Sequence, residues 1–333
     1  MLLAGDIGGT KTILALYEER SNATPVSEET YASGQYGSLE AIIQNFLRSR
    51  QAGLQRAHRA VFGVAGPVVA GKATLPNLSW GVEESELKRH FGFERVAVIN
   101  DLKAIGHAVP VLADSDLERI KVGSAEPLGN IAVLAPGTGL GETSLSWNGR
   151  RYTVHASEAG HGDFAPVDEL QLGLLGYLLK RFDHVSYERV CSGTGIPNIY
   201  AYIRDQGLAE EPAWLAQEIA EAEDPNAVII NAAMHPKPDG RICSLTVETF
   251  VSILAAEAGN MVLRHMATGG LYLGGGIPPR IIPFLRKPNF EKWFGRKGRL
   301  SHLAEKTPVQ VIMHPKAALV GAASFALQLA EDH

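Results

Sequence analysis

The sequence predicts an α/β protein of two domains, and two observations carry the prediction. Strands alternate with helices along the chain, and a unit of apolar strand, glycine turn and apolar strand occurs twice. The first copy covers residues 2–17 and turns through Gly5, Asp6, Ile7, Gly8, Gly9 and Thr10; the second covers residues 130–147 and turns at Gly137, Thr138 and Gly139. One such hairpin at the start of each domain describes duplicated domains facing each other across a cleft. At 333 residues the chain exceeds a comfortable single core, and a hydrophobic content of 45% can fill two.

The opening hairpin has the equipment to hold a metal-bound nucleotide. Its glycines allow positive φ and bring backbone N–H groups close to an anion, while Asp6 can hold a divalent cation directly or through water. Two better-known phosphate loops do not fit. A Walker A loop needs glycine directly before its Lys-Thr pair and a helix after it, but Thr10 precedes Lys11-Thr12 and a strand follows. Neither turn has the Gly-x-Gly-x-x-Gly spacing and following helix of a dinucleotide site. On these residues alone an ordinary hairpin turn stays open as the alternative.

The elements follow in order. Ser38 can cap a helix whose stripe is Leu39, Ile42, Ile43, Phe46 and Leu47. Residues 59–64 read as a strand ending at Ala65-Gly66-Pro67, and residues 95–99 as another ending at Asn100-Asp101. In a largely parallel sheet ligands collect beyond the carboxyl ends of the strands, where Asn100 and Asp101 would sit. Between these strands a polar loop with Asn77 at its centre and Trp80 at its edge could line a substrate mouth or be a structural turn. Residues 246–266 read as a scaffold helix packed through Phe250, Leu254, Ala258 and Met261. Leu271-Tyr272-Leu273 runs into the bare patch Gly274, Gly275 and Gly276, against which an adenine or ribose could lie; a tight strand-to-helix turn is the equal alternative. A strand over 309–313 and an alanine-rich helix over 316–329 close the chain, and this αβ unit could return to pack on the first domain.

Charge and cysteine content narrow the partners. A formal charge of −5 argues against nucleic acid, and the one basic cluster, Lys292, Arg296, Lys297 and Arg299, reads as a solvated surface. Cys191 and Cys243 are too few for a disulfide framework or a four-cysteine zinc site, which fits a reducing compartment. The N-terminal apolar runs are broken by Asp6 and Lys11, and no uninterrupted apolar run approaches about twenty residues, so a soluble cytoplasmic protein is expected, with neither leader nor membrane span.

Phosphoryl transfer to an alcohol needs a held polyphosphate, a positioned hydroxyl and a carboxylate to accept its proton. Asp101 is the best carboxylate offered, although an aspartate there can also be a helix N-cap. Glu158 and His161, three residues apart among small residues, suit the several hydroxyls of a sugar ring. A metal site at His161 and Asp163 lacks further ligands at a recognisable spacing. Glu188, ahead of Gly193-Thr194-Gly195, is a third acid, which alone reads as a helix surface charge sooner than as a ligand.

Six motifs in order, Gly5 to Thr10, Val98-Ile99-Asn100-Asp101, Gly137 to Gly141, Glu158 to Pro166, Glu188 to Gly193 and Gly274 to Gly276, resemble bacterial glucokinases and cover nearly the whole chain. The resemblance implies a two-domain actin-like (ribonuclease H-like) ATPase fold, with a small domain from residues 1–110 plus about 301–333 and a large domain from 111–300. It implies ATP-dependent phosphorylation of the 6-hydroxyl of glucose in glycolysis, with Asp101 as the base. Asn100, Asp101, Glu158, His161, Glu188 and Asn77 would hold the sugar. Gly5, Asp6, Ile7, Gly8, Gly9, Thr10, Gly137, Thr138 and Gly139 would embrace the ATP phosphates, Asp6 would approach Mg²⁺, and Gly274, Gly275 and Gly276 would border the adenosine. A neighbouring group of sugar kinases and repressors carries a cysteine-rich zinc motif after the Glu-x-x-Gly-His segment; no cysteine lies between His161 and Cys191, so the match is to the zinc-free branch. Lys11 departs from the polar uncharged residue often found after the threonine.

A kinase for another hexose or an amino sugar would use the same scaffold. A nucleotide-gated regulator would need a partner-binding extension, and the chain shows no helix-turn-helix extension, basic arm or disordered tail. A homodimer is the expected assembly.

Overall fold

The computed structural model describes residues 1–18, 24–48, 57–75, 78–235, 237 and 239–329; Asn77 lies outside them. The described residues fold into two compact units, one from Met1–Asp114, Val154–Ala156 and His314–His333, the other from Ser115–Thr153 and Ser157–Met313. The small domain is expected to resume near residue 301, whereas the segment 301–313 packs within the second unit and the first resumes at His314.

In the first unit β1 (Leu2–Ile7) and β2 (Lys11–Tyr17) form the expected hairpin, and β3 (Ser27–Ala32) pairs on the far side of β2. Helix α1 (Leu39–Arg48) follows, with Ser38 Oγ accepting from the Ala41 N–H at 3.2 Å. The stripe read from the sequence buries Leu39, Ile42, Ile43 and Phe46 completely. Strand β4 (Arg59–Val64) lies parallel to β1. Strands β5 (Val68–Val69), β6 (Lys72–Thr74) and β7 (Gly81–Glu83) form a small antiparallel sheet. Trp80 beside it is core: it is 8% exposed and its indole N–H donates to the Tyr36 carbonyl, so its bulk serves packing and not a substrate mouth. Helix α2 (Glu84–Phe91), strand β8 (Arg95–Asn100) and helix α3 (Asp101–Ala108) complete this stretch, giving a sheet of order β3-β2-β1-β4-β8.

The C-terminal helix, Ala317–Gln328, packs on the same sheet, but the strand expected to return with it, Val309–Ile312, pairs within the second sheet beside Gly270–Leu273. Leu319, Ala322, Ala323 and Ala326 meet Leu2, Ala4, Val61, Ile99 and Ala104. Its small residues are the reason it comes so close to α3: a Cβ at Gly321 would run into the Ala104 carbonyl oxygen.

The second sheet is built on β9 (Leu117–Lys121), β10 (Ile131–Pro136), β11 (Leu140–Trp147) and β12 (Tyr152–Ser157). Helices α4 (Glu169–Leu178), α5 (Gly195–Asp205), α6 (Ala213–Glu221), α7 (Pro225–Met234) and α8 (Arg241–His265) lead to β13 (Gly270–Leu273). Helices α9 (Ile282–Leu285), α10 (Pro288–Gly295) and α11 (Ser301–Lys306) precede β14 (Val309–Ile312). The sheet order is β12-β11-β10-β13-β14-β9, with β10, β13 and β14 parallel. Apart from β9 on its edge, this repeats the first sheet strand for strand: an antiparallel hairpin, a third strand beyond it, and two parallel strands on the other side. The duplication expected from the two hairpins therefore extends to the connectivity of the whole sheet.

Helix α8 begins five residues earlier than expected, at Arg241, and ends where Met266 turns into the left-handed region (φ 47°). It is long and apolar enough to cross a membrane by length and composition, but 83% of its apolar window is buried inside the fold, which makes it the central helix of a core. The basic cluster is not uniformly solvated. Lys292 and Arg296 lie over Trp293, but Lys297 turns inward and donates from Nζ to the Ala256 carbonyl and to Asn260 Oδ1, both at 2.8 Å. Burial lowers its pKa from the ordinary 10.5.

Candidate active site

The first unit gathers its polar residues where the parallel strands end. Asp6 on β1 stands in register with Gly63 on β4, and Gly63 in turn with Ile99 on β8, one residue before Asn100. Gly63 is closely packed, since a Cβ there would lie 3.1 Å from that of Ala104. Burial raises the Asp6 carboxyl above its ordinary 3.8, an effect that the Lys11 ammonium opposes.

The hairpin turn itself corrects one expectation. Among the described residues, neither Gly8 nor Gly9 adopts a positive φ; Gly8 N–H donates to the Lys11 carbonyl at 2.9 Å and the turn closes without left-handed backbone. Ser33 closes it from outside, its Oγ donating to the Gly8 carbonyl at 2.7 Å. Gly5 is required by packing instead, because a Cβ would meet Phe62 Cδ1 at 2.6 Å.

Asp101 opens α3 but is not its cap. Asn100 has the extended backbone of an N-cap, and its Oδ1 accepts from the N–H groups of Leu102 at 2.9 Å and Lys103 at 3.2 Å. Its Nδ2 donates to the Gly66 carbonyl at 3.1 Å, so the amide expected to hold a sugar hydroxyl is engaged in fixing two loops. Asp101 Oδ1 accepts from Leu102 N–H at 2.9 Å, which places the carboxylate at the positive end of the helix.

In the second unit the three residues expected to read a sugar come together. A pair of backbone hydrogen bonds, Tyr187 N–H to the Gly162 carbonyl and Glu188 N–H to the Gly160 carbonyl, both 2.9 Å, zips the two segments against each other. His161 N–H donates to the Glu158 carbonyl at 3.0 Å, and His161 Nδ1 lies 3.9 Å from Glu188 Oε1. Glu188 is on a turn, not a helix surface, and its Oε2 accepts from the Leu140 N–H at 3.0 Å. That N–H directly follows the Gly137-Thr138-Gly139 turn, so an acid expected to bind sugar is tied to a turn expected to bind phosphate. Asp163 instead pairs with His184 at 2.9 Å.

The Gly137 to Gly139 turn has a second brace that the sequence did not signal beyond its Gly-Thr-Gly repetition. Gly193 N–H donates to the Gly137 carbonyl at 2.7 Å, Thr194 N–H to the Thr138 carbonyl at 3.4 Å, and Asn226 Nδ2 to the Gly193 carbonyl at 2.8 Å. The Gly274 to Gly276 patch joins the same place: Gly274 N–H donates to the Leu134 carbonyl at 2.9 Å and Ile277 N–H to the Pro136 carbonyl at 3.3 Å. Gly275 has φ 79°, and a Cβ there would strike the Pro136 carbonyl. Three glycine turns therefore converge at the carboxyl end of β10.

A buried polar cluster lies behind Glu188 and was missed by sequence reasoning because α8 reads as apolar scaffold. Glu257 on α8 is completely buried and pairs with Arg264 and with Asn260 Nδ2 at 2.9 Å. Glu142 on β11 is 1% exposed, with neither carboxylate oxygen hydrogen-bonded and Arg264 Nη1 at 3.9 Å. Burial first, and then the Glu257 charge, push its pKa from 4.5 to about 7. Tyr187, the neighbour of Glu188, accepts from Asn260 Nδ2 at 3.3 Å and its phenol is raised by burial and by Glu257.

Comparison with known proteins gives one consistent result. The family model described as Glucokinase matches residues 3–329. The chain is 38% identical to a protein named glucokinase from Nostoc punctiforme over 343 aligned positions, covering 99% of both chains. Among solved structures it resembles a glucokinase from an Antarctic psychrotroph at 33% identity and a TM-score of 0.82, covering 98% of both. A ROK family glucokinase from Streptomyces griseus, in complex with glucose and AMPPNP, shares the fold at 20% identity and a TM-score of 0.64, covering 98% of this chain and 99% of the other.

Proposed function

The chain belongs to the glucokinase family and is a glucose kinase, and we propose that it transfers the terminal phosphoryl group of ATP to the 6-hydroxyl of glucose with Asp101 as the general base. The observation that carries this reading is the capping of α3 by Asn100, which accounts for the helix end without Asp101. The Asp101 carboxylate takes the hydroxyl proton as the oxygen attacks the phosphorus. Asn100 orients Asp101 through the cap and the Gly66 loop. In the second unit Glu158, His161 and Glu188 bind the remaining sugar hydroxyls; their grouping within one zipped segment supports this. Asn77 stays in the proposal on its motif position alone.

The turns of Gly5 to Thr10 and Gly137 to Gly139 bind the ATP phosphates through backbone N–H groups, and Gly274 to Gly276 border the adenosine. Among the described residues no group of three metal-ligating side chains occurs, so the fit is to a metal carried by the phosphates and not to a resident ion. The Asp6 carboxylate, destabilised by burial, suits that role, since a cation beside it offsets the cost of its charge. Asp6 would hold Mg²⁺ together with the phosphates, and the ion would supply neutralisation of the charge on the transferring group. The reading extends to a cytoplasmic homodimer; Leu172 and Leu179, 61% and 53% exposed, are apolar surface on and just beyond α4 consistent with association.

A coupled assay of glucose 6-phosphate formation tests the whole reading. With ATP and Mg²⁺ it should give product, chelation should abolish the rate, and a panel of hexoses and amino sugars should rank glucose first. A better rate with an amino sugar, or ATP hydrolysis indifferent to sugar, would overturn it. Light scattering reads the assembly.

A further inference from the structure

Two glycines in one turn are glycine for different reasons. A Cβ built on Gly137 meets nothing within 4 Å, whereas one on Gly139 would collide with Glu188 Oε2 and lie 3.3 Å from its carboxyl carbon. Neither residue has the positive φ that would demand glycine, so backbone conformation does not explain either. The space left by the absent side chain at Gly139 is the space the Glu188 carboxylate uses when Oε2 accepts from Leu140 N–H at 3.0 Å.

We propose that Gly139, although part of the phosphate turn, is a specificity-determining residue for the sugar: it makes room for the Glu188 carboxylate and so fixes the direction in which that carboxylate accepts a hydroxyl. The proposal rests on the reading of Glu188 as a sugar ligand. The obstructing atoms are the far end of a flexible side chain, so a methyl group at position 139 displaces the carboxylate without breaking the fold. The displaced carboxylate loses Leu140 N–H and keeps only its face toward His161, 3.9 Å away. A hydrogen bond to a charged group is lost from sugar recognition, while the backbone N–H groups of the turn that serve the phosphates stay in place.

The test compares G139A, G137A, E188D, E188Q and G139A/E188D by steady-state kinetics and by fluorescence titration with glucose alone. G139A should raise both the glucose KM and the glucose dissociation constant without ATP roughly tenfold or more, with the ATP KM changing by about twofold at most. G137A should leave the glucose constants unchanged and move only the ATP KM. E188D retracts the carboxylate by one methylene; in the G139A background it should cost far less than in the wild type, since the carboxylate has already been moved. Additive costs, or a G139A effect confined to the ATP KM, would overturn the proposal. Should G139A fail to fold, G139A/E188D removes the collision and should fold; its failure too would overturn the proposal. Unaltered glucose binding by E188Q would sink the sugar role of Glu188 itself, a separate outcome from failure at Gly139.

Discussion

Asn100 and Asp101 divide between them two jobs that one residue could have done alone: Asn100 closes the end of α3, with Oδ1 2.9 Å from Leu102 N and 3.2 Å from Lys103 N, and Asp101 begins the helix as a carboxylate. The two share the Leu102 N–H, from which Asp101 Oδ1 also accepts at 2.9 Å, while the Lys103 N–H goes to Asn100.

Replacing Asp101 by Asn should therefore leave the glucose KM near its wild-type value and lower kcat by roughly 10² to 10⁴. Asn100→Ala should act differently, lowering the melting temperature by the loss of about 1 kcal/mol of capping as well as reducing kcat. Near-normal turnover in D101N removes Asp101 from the base role.

The Glu142 carboxyl should make stability depend on pH. Its folded pKa of about 7 exceeds the ordinary 4.5, so between these values the folded chain holds a proton that the unfolded chain has released. Stability then falls as pH rises through that window, by at most about 1.4 kcal/mol per unit, and levels off above it. Glu142→Gln should flatten this slope in thermal melts from pH 5 to pH 8; parallel curves for the two proteins would exclude Glu142 as the source.

Lys297 and Lys292 stand five residues apart and should respond differently to truncation. Lys297→Ala leaves the Ala256 carbonyl and Asn260 Oδ1 without their donor and should cost about 1–3 kcal/mol, read by denaturant unfolding. Lys292→Ala touches an exposed side chain and should change stability by about 0.5 kcal/mol or less. Equal effects would contradict the inward packing of Lys297.

Gly321→Val should force the C-terminal helix away from α3, because even a Cβ would enter the Ala104 carbonyl. The expected cost is about 1–3 kcal/mol of overpacking, and it should come with a loss of kcat because α3 carries Asp101. A stable, fully active variant would show that the contact is dispensable.

How far the sequence reached depended on whether a feature was local. Both hairpins, the capped stripe of α1 and the strand ending at Asn100 were legible because period-2 and period-3.6 patterns and turn residues are contiguous. The grouping of Glu158, His161 and Glu188 was visible only as spaced motifs, since the zip between residues 160–164 and 185–188 joins segments that share no sequence pattern. Lys297 was misjudged, Trp80 left open and Glu257 passed over for one reason: their partners, Asn260, Tyr36 and Arg264, come from the tertiary fold or from turns of a helix whose composition reads as apolar. The reason for glycine at 139 was likewise hidden, because it lies in the side chain of Glu188, on a distant segment.

The first unit is interrupted by the second, and its sheet is covered by a helix that follows Met313. During synthesis the strands carrying Asp6 and Asn100 must therefore wait, with Ala4, Val61 and Ile99 uncovered, until every residue of the second unit has been translated. The unit that carries the proposed base is thus the first to be started and the last to be finished.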